Sequence, residues 1–191
     1  MKIVCLGWGS LIWKAAELPV ASDWFEDGPR LPIEFAREGD SGELATVICA
    51  GVADVQVLWA ALAVETLDEA REALRAREGV PREQPECIGS WPRGPQSPFQ
   101  QRIAAWAAEQ GVDAVVWTAL PPRSGGLNQR MPTVEQALDY LRKLDHERQA
   151  HARDYIRRTP VAIDTEYRRV IARTFNWQPV PEAQPDLDAS A

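Results

Sequence analysis

The chain has 191 residues, 45% of them hydrophobic and eight of them tryptophan, which suits a single domain burying about 70% of the surface its unfolded chain exposes. A formal net charge of −7 with a pI near 5 gives an overall field that repels nucleic acid and anionic membrane surfaces, so neither is an expected partner. No span of about 18 apolar residues occurs, the N-terminus runs directly into a strand without the charged and apolar regions of a signal peptide, and the odd set Cys5, Cys49 and Cys87 lacks C-x-x-C spacing; a soluble, cytoplasmic protein is expected.

Taken in order, Ile3-Val4-Cys5-Leu6 is an apolar run short enough for a buried strand, and Gly7-Trp8-Gly9-Ser10 breaks it before Leu11 and Ile12 turn apolar again. Two glycines flanking an aromatic allow unusual backbone angles and a close approach to the main chain, and successive amides in such a loop can converge on an anion. A strand end with a sharp turn and core tryptophans accounts for the pattern equally well. Neither G-x-G-x-x-G nor the P-loop pattern is present.

Residues 14–30 read as an irregular connection. Leu31–Arg37 and Leu44–Cys49, separated by Gly39-Asp40-Ser41-Gly42, read as a hairpin. Val55 to Val64 is nearly all apolar and reads as one strand covered on both faces. Thr66-Leu67-Asp68-Glu69 has the form of a capping box, after which Leu67, Ala70, Leu74 and Glu78 fall on one helical face and Gly79 supplies the stop. Residues 81–97, with four prolines, read as loop. A helix is expected from Ser97 as cap to Gly111, with Phe99, Ile103 and Trp106 inward, then a strand over 113–120. Thr133 and Gln136 open a second capping pattern, and from there to Arg158 the chain reads as one long helix. A last helix spans about Asp164 to Arg173. The arginines between Arg142 and Arg173 read as solvated charges alternating with Glu and Asp, as do Glu135, Asp145 and Glu147. A domain over 1–178 and a disordered tail over 179–191 follow.

Glu78 stands out on local physics. It continues an apolar stripe inward, and it sits at a helix C-terminus, where the dipole disfavours negative charge; both effects raise the pKa of such a carboxyl toward a value useful for proton transfer. A glutamate that bends to solvent, or pairs with Arg75, Arg77 or Arg82, satisfies the same spacing. Arg37, after the hairpin strand, reads first as a surface arginine, with a place in the same cavity as Glu78 as the alternative. His146 and His151 are five apart, so they miss the i, i+4 spacing of H-E-x-x-H and read as surface residues.

The loop Gly7-Trp8-Gly9-Ser10-Leu11 and the helix end Leu74-Arg75-Ala76-Arg77-Glu78-Gly79, in that order and rough separation, resemble the gamma-glutamylcyclotransferase-like superfamily, which includes the ChaC-type proteins. The resemblance covers residues 1–80 and is loose beyond them. It implies an α+β fold, a mixed sheet or small barrel with flanking helices. It also implies an enzyme that converts a γ-glutamyl compound to 5-oxoproline and a free amine without metal or organic cofactor. Glu78 occupies the position of the family's catalytic glutamate and would act as base and then acid. Gly7, Trp8, Gly9, Ser10 and Leu11 would bind substrate, the amides of Gly9, Ser10 and Leu11 holding its carboxylate or a developing oxyanion. Trp8 departs from the family, which generally has tyrosine there. A non-catalytic module that binds a small amino-acid-like ligand is the alternative, favoured by Trp8 and opposed by Glu78. A related enzyme for a γ-glutamylamine or a peptide crosslink remnant is a third reading, and no interface can be read from the sequence.

Overall fold

Successive side chains of a strand look to opposite faces, and in the first strand both faces are apolar. The computed structural model describes residues 1–93 and 98–180. Its strands are β1 (Ile3–Gly7), β2 (Arg30–Glu38), β3 (Leu44–Ile48), β4 (Asp54–Gln56), β5 (Leu58–Ala61), β6 (Ile88–Trp91), β7 (Ala114–Thr118), β8 (Arg123–Ser124) and β9 (Leu127–Asn128). Its helices are α1 (Leu67–Glu78), α2 (Pro98–Glu109), α3 (Val134–Lys143), α4 (His146–Arg158) and α5 (Glu166–Phe175). The expected cap at Ser97 and residues 181–191 lie outside the described residues.

The class is α+β, as the sequence implies, but the expected single sheet is two. One has the order β5-β1-β7-β6, with β1 parallel to β7 and antiparallel to β5; the other has β3-β2-β8-β9, with β4 also on β2. One of the two curls as a half-barrel. The first sheet lies between helices: Ile3 and Cys5 pack toward Leu67, Ala70 and Leu74 of α1, while Val4 and Leu6 pack toward Ile103, Trp106 and Ala107 of α2. In the second, Phe35 and Leu44 lie under α3, α4 and α5.

The apolar run after Val55 is where the chain changes sheets. Val55 pairs with Leu31 of β2 and Trp59 with Leu6 of β1; between them Val57 turns its backbone to Pro29 O and Gly28 N. Both halves are buried, so continuous hydrophobicity conceals the break. The stretch 88–91, read as loop, forms β6, an edge strand on β7. Its proline-rich flanks suit an edge, where a missing N–H costs no ladder bond.

The expected long helix over 134–158 is also two. Leu144 leaves helical geometry and Asp145 accepts a hydrogen bond from Arg148 N at 2.9 Å, capping α4. Asp145 is thus a helix start rather than a mid-helix charge. Likewise Arg168 is no solvated charge: it is 3% exposed. At the end of the described residues, Val180 N donates to Arg157 O and Arg157 Nε donates to Gln178 O.

Glu34 is buried in β2 and accepts hydrogen bonds from Thr165 Oγ1, Phe35 N and Tyr167 N, which ties β2 to the first turn of α5. Burial pushes its pKa above the ordinary 4.5, against the lowering effect of those donors. A carboxyl whose folded pKa is raised contributes stability that is present below its unfolded pKa and lost as pH rises through the folded one. Melting temperatures of native protein and Glu34→Gln should therefore diverge with pH, the native protein losing ground as pH climbs above 4.5. A pH-independent difference would contradict this account.

Candidate functional site

The loop after β1 is built by close packing. A Cβ at Gly9 would stand 2.6 Å from Thr46 Oγ1 and nearer still to the Tyr155 hydroxyl, and one at Gly7 would stand 2.5 Å from the Trp24 ring. Neither glycine is among those with positive φ. The expectation of special backbone angles is thus corrected: these positions need space. Gly9→Ala should cost about 1–3 kcal/mol by overpacking, read as a lower melting temperature. A native melting temperature would show that Thr46 and Tyr155 yield freely.

Trp8 is 4% exposed. Its Nε1 donates to Thr46 O at 3.3 Å, and its carbonyl accepts from Thr46 Oγ1 at 3.2 Å. The indole therefore fastens the loop to β3. The Tyr155 hydroxyl, brought by α4, shares a hydrogen bond with Thr46 Oγ1 at 3.0 Å and accepts from Thr46 N. Gly9 and Leu11 amides have no backbone acceptor among the described residues.

Helix α1 delivers Glu78. Thr66 caps its start by accepting from Glu69 N, and Gly79, at φ 64, turns the chain away from its end. Leu67, Ala70 and Leu74 bury the stripe that carries Glu78 inward. Its side chain is 13% exposed and that of the adjoining Arg77 9%, with Arg77 Nη1 at 2.5 Å from Glu78 Oε1. The same guanidinium donates to Ser10 Oγ at 3.2 Å and to Lys14 O at 2.7 Å. One arginine thus joins the helix end to the loop, and it stands where the peptide dipole alone would be unfavourable to a carboxylate. Glu78 Oε2 has no hydrogen bond to the described residues.

Glu78 and all of Gly7–Leu11 line one cavity of about 320 Å³. Arg37, Arg77 and Arg123 give its wall positive groups; Asp40, Glu43 and Glu78 give negative ones; Thr46, Thr118 and Tyr155 add hydroxyls. A lining of both signs around a carboxylate suits a small zwitterion. Of the two readings of Arg37, the structure has the cavity one: Arg37 is half-buried and lines the wall, beside a shift in the register of β2 on β3 between Phe35 and Arg37. Thr46, Arg123 and Tyr155 carried no motif that marks a site, whereas Arg77 was one of three arginines offered as partners of Glu78 and is the one that pairs with it. Cys5, beside Glu78, is wholly buried, with its thiol pKa raised first by burial and then by Glu78.

His146 and His151 are exposed, and His151 Nε2 lies 3.6 Å from Glu43 Oε2. Among the described residues no three His, Cys, Asp or Glu side chains gather as a metal site, and no helix is long and apolar enough to cross a membrane. No protein-family model, curated protein or solved structure matches the chain.

Proposed function

We propose that the chain is a gamma-glutamylcyclotransferase-like enzyme converting a γ-glutamyl compound to 5-oxoproline and a free amine, with Glu78 as base and acid. The observation that carries this reading is the convergence of Glu78 and the Gly7–Leu11 loop on one cavity of mixed charge.

Glu78 takes a proton from the substrate's α-ammonium, and the freed amine attacks the γ-carbonyl carbon. A carbon–nitrogen bond forms, closing the five-membered lactam through a tetrahedral oxyanion. On collapse the bond to the departing nitrogen breaks, and Glu78 returns the proton to it. In all, the attacking nitrogen gives up two protons and the leaving amine gains two, so Glu78 ends ionised as it began and no water is consumed. Holding Glu78 against the loop supplies proximity, since nucleophile and electrophile already share one molecule. Gly9 and Leu11 amides stand for the α-carboxylate or the oxyanion. Arg77, through Glu78, Ser10 and Lys14, is a positioning residue.

A second reading, a module that binds such a ligand without turning it over, draws on the same ion pair: one oxygen of Glu78 is already engaged by Arg77. Incubation with glutathione, γ-glutamyl amino acids and γ-glutamylamines, with 5-oxoproline detected by mass spectrometry, separates the two. Product from any member supports the enzyme. Thermal stabilisation by these compounds without product supports the binding module.

A further inference from the structure

Arg37 is a half-buried cation in the cavity wall, and no carboxylate pairs with it among the described residues. Its Nη1 donates to Pro121 O at 2.8 Å and to Asn128 Oδ1 at 3.1 Å, both neutral acceptors. Its nearest cationic neighbour worsens its position: Arg123 is its partner in register across β2 and β8, and like charges opposite one another on paired strands are unfavourable. Arg123 has Asp40 at 2.8 Å to offset its charge; Arg37 has no counterpart. The carboxylates of Asp40 and Glu43 act favourably on Arg37 without forming an ion pair with it, and neither belongs to the Glu78–Arg77 pair. The cavity therefore has two poles, a proton-transfer pole at Glu78 and, at Arg37, a cation bonded directly only to neutral acceptors.

We infer that Arg37 binds a carboxylate on the leaving amine of the substrate, so that the chain selects γ-glutamyl amino acids over γ-glutamylamines. The inference rests on the cyclotransferase reading, which puts the α-amino head of the substrate at Glu78 and turns the leaving group toward the other pole. A guanidinium presents a planar fork that a carboxylate matches with two parallel hydrogen bonds, and Arg37 keeps donors beyond the Nη1 bonds for that purpose. Arg37 follows Ile33 and Phe35 at the strand's period of two, and the register of β2 on β3 shifts beside it, between Phe35 and Arg37.

The test compares γ-glutamylglycine with γ-glutamylglycinamide, which differ only in that carboxylate, for native protein, Arg37→Met and Arg37→Lys. The native ratio of kcat/KM should favour the carboxylate by roughly 10- to 100-fold, the range for a charge-assisted hydrogen-bonded contact. The ratio should fall close to one in Arg37→Met and stay intermediate in Arg37→Lys. A merely structural Arg37 would lower both substrates together and leave the ratio unchanged. That result, or a native ratio near one, overturns the inference while leaving the cyclotransferase reading intact. If native protein turns over neither compound, calorimetric affinities for the same two compounds supply the ratio. Carboxylate-dependent binding lost in Arg37→Met upholds the anion site, and equal affinities overturn it.

Discussion

Glu78→Gln lowers the rate of 5-oxoproline formation by roughly 10²- to 10⁴-fold, the range for loss of a positioned acid–base group. Gln keeps the size of the side chain, and its amide oxygen still accepts from Arg77 Nη1, so the junction between α1 and the loop is retained. What is lost is the ability to take and return a proton. A melting curve beside the kinetics separates an inactive variant from an unfolded one. Native-like turnover by folded Glu78→Gln would remove Glu78 from the mechanism.

Arg168→Met is expected to give the largest loss of stability. Arg168 donates to Pro160 O at 2.6 Å, Ile163 O at 3.1 Å and Ile156 O at 3.2 Å, and also to Thr159 O. Ile156 and Thr159 carry carbonyls of the last turn of α4, which the helix leaves without partners. Burial lowers the pKa of Arg168 to about 10, and the group remains a cation at neutral pH. Methionine fills much of the space and satisfies none of the carbonyls. With several buried acceptors left bare, the cost is about 3 kcal/mol or more, which is a fall of about 6–12 °C in melting temperature for a domain of this size. Arg168→Lys recovers part of it. Native-like melting of both variants would contradict the account. Because α4 also carries Tyr155, the methionine variant should weaken the packing of Tyr155 on Gly9 and Thr46 as well.

The legible part of the site was the part whose spacing repeats. Leu67, Ala70 and Leu74 are buried in α1, and the stripe they define carries Glu78 to the cavity that the glycine loop lines. Arg37 was half legible: it follows Ile33 and Phe35 at the strand's period of two, but a strand-end arginine in a cavity wall and one on the surface look alike in sequence. Tyr155 lies on the buried face of α4 with Ala152 and Ile156, where a core aromatic and a site hydroxyl look alike in sequence. The two-sheet division was hidden for a related reason: Val55, Val57, Leu58 and Trp59 are all buried, so composition does not change where pairing does. Asp145 shows the opposite case, a capping residue read as a charge because the flanking helical periods happen to run in phase.

The central claim is intramolecular cyclisation, and it differs from hydrolysis in the fate of water. The most direct measurement is incubation of native protein with γ-glutamylglycine in oxygen-18-labelled water, with both products followed by mass spectrometry. The account predicts unlabelled 5-oxoproline and glycine in equal amounts. Glutamate carrying one heavy oxygen would mean that water, not the α-amine, attacks the γ-carbonyl, and would contradict it.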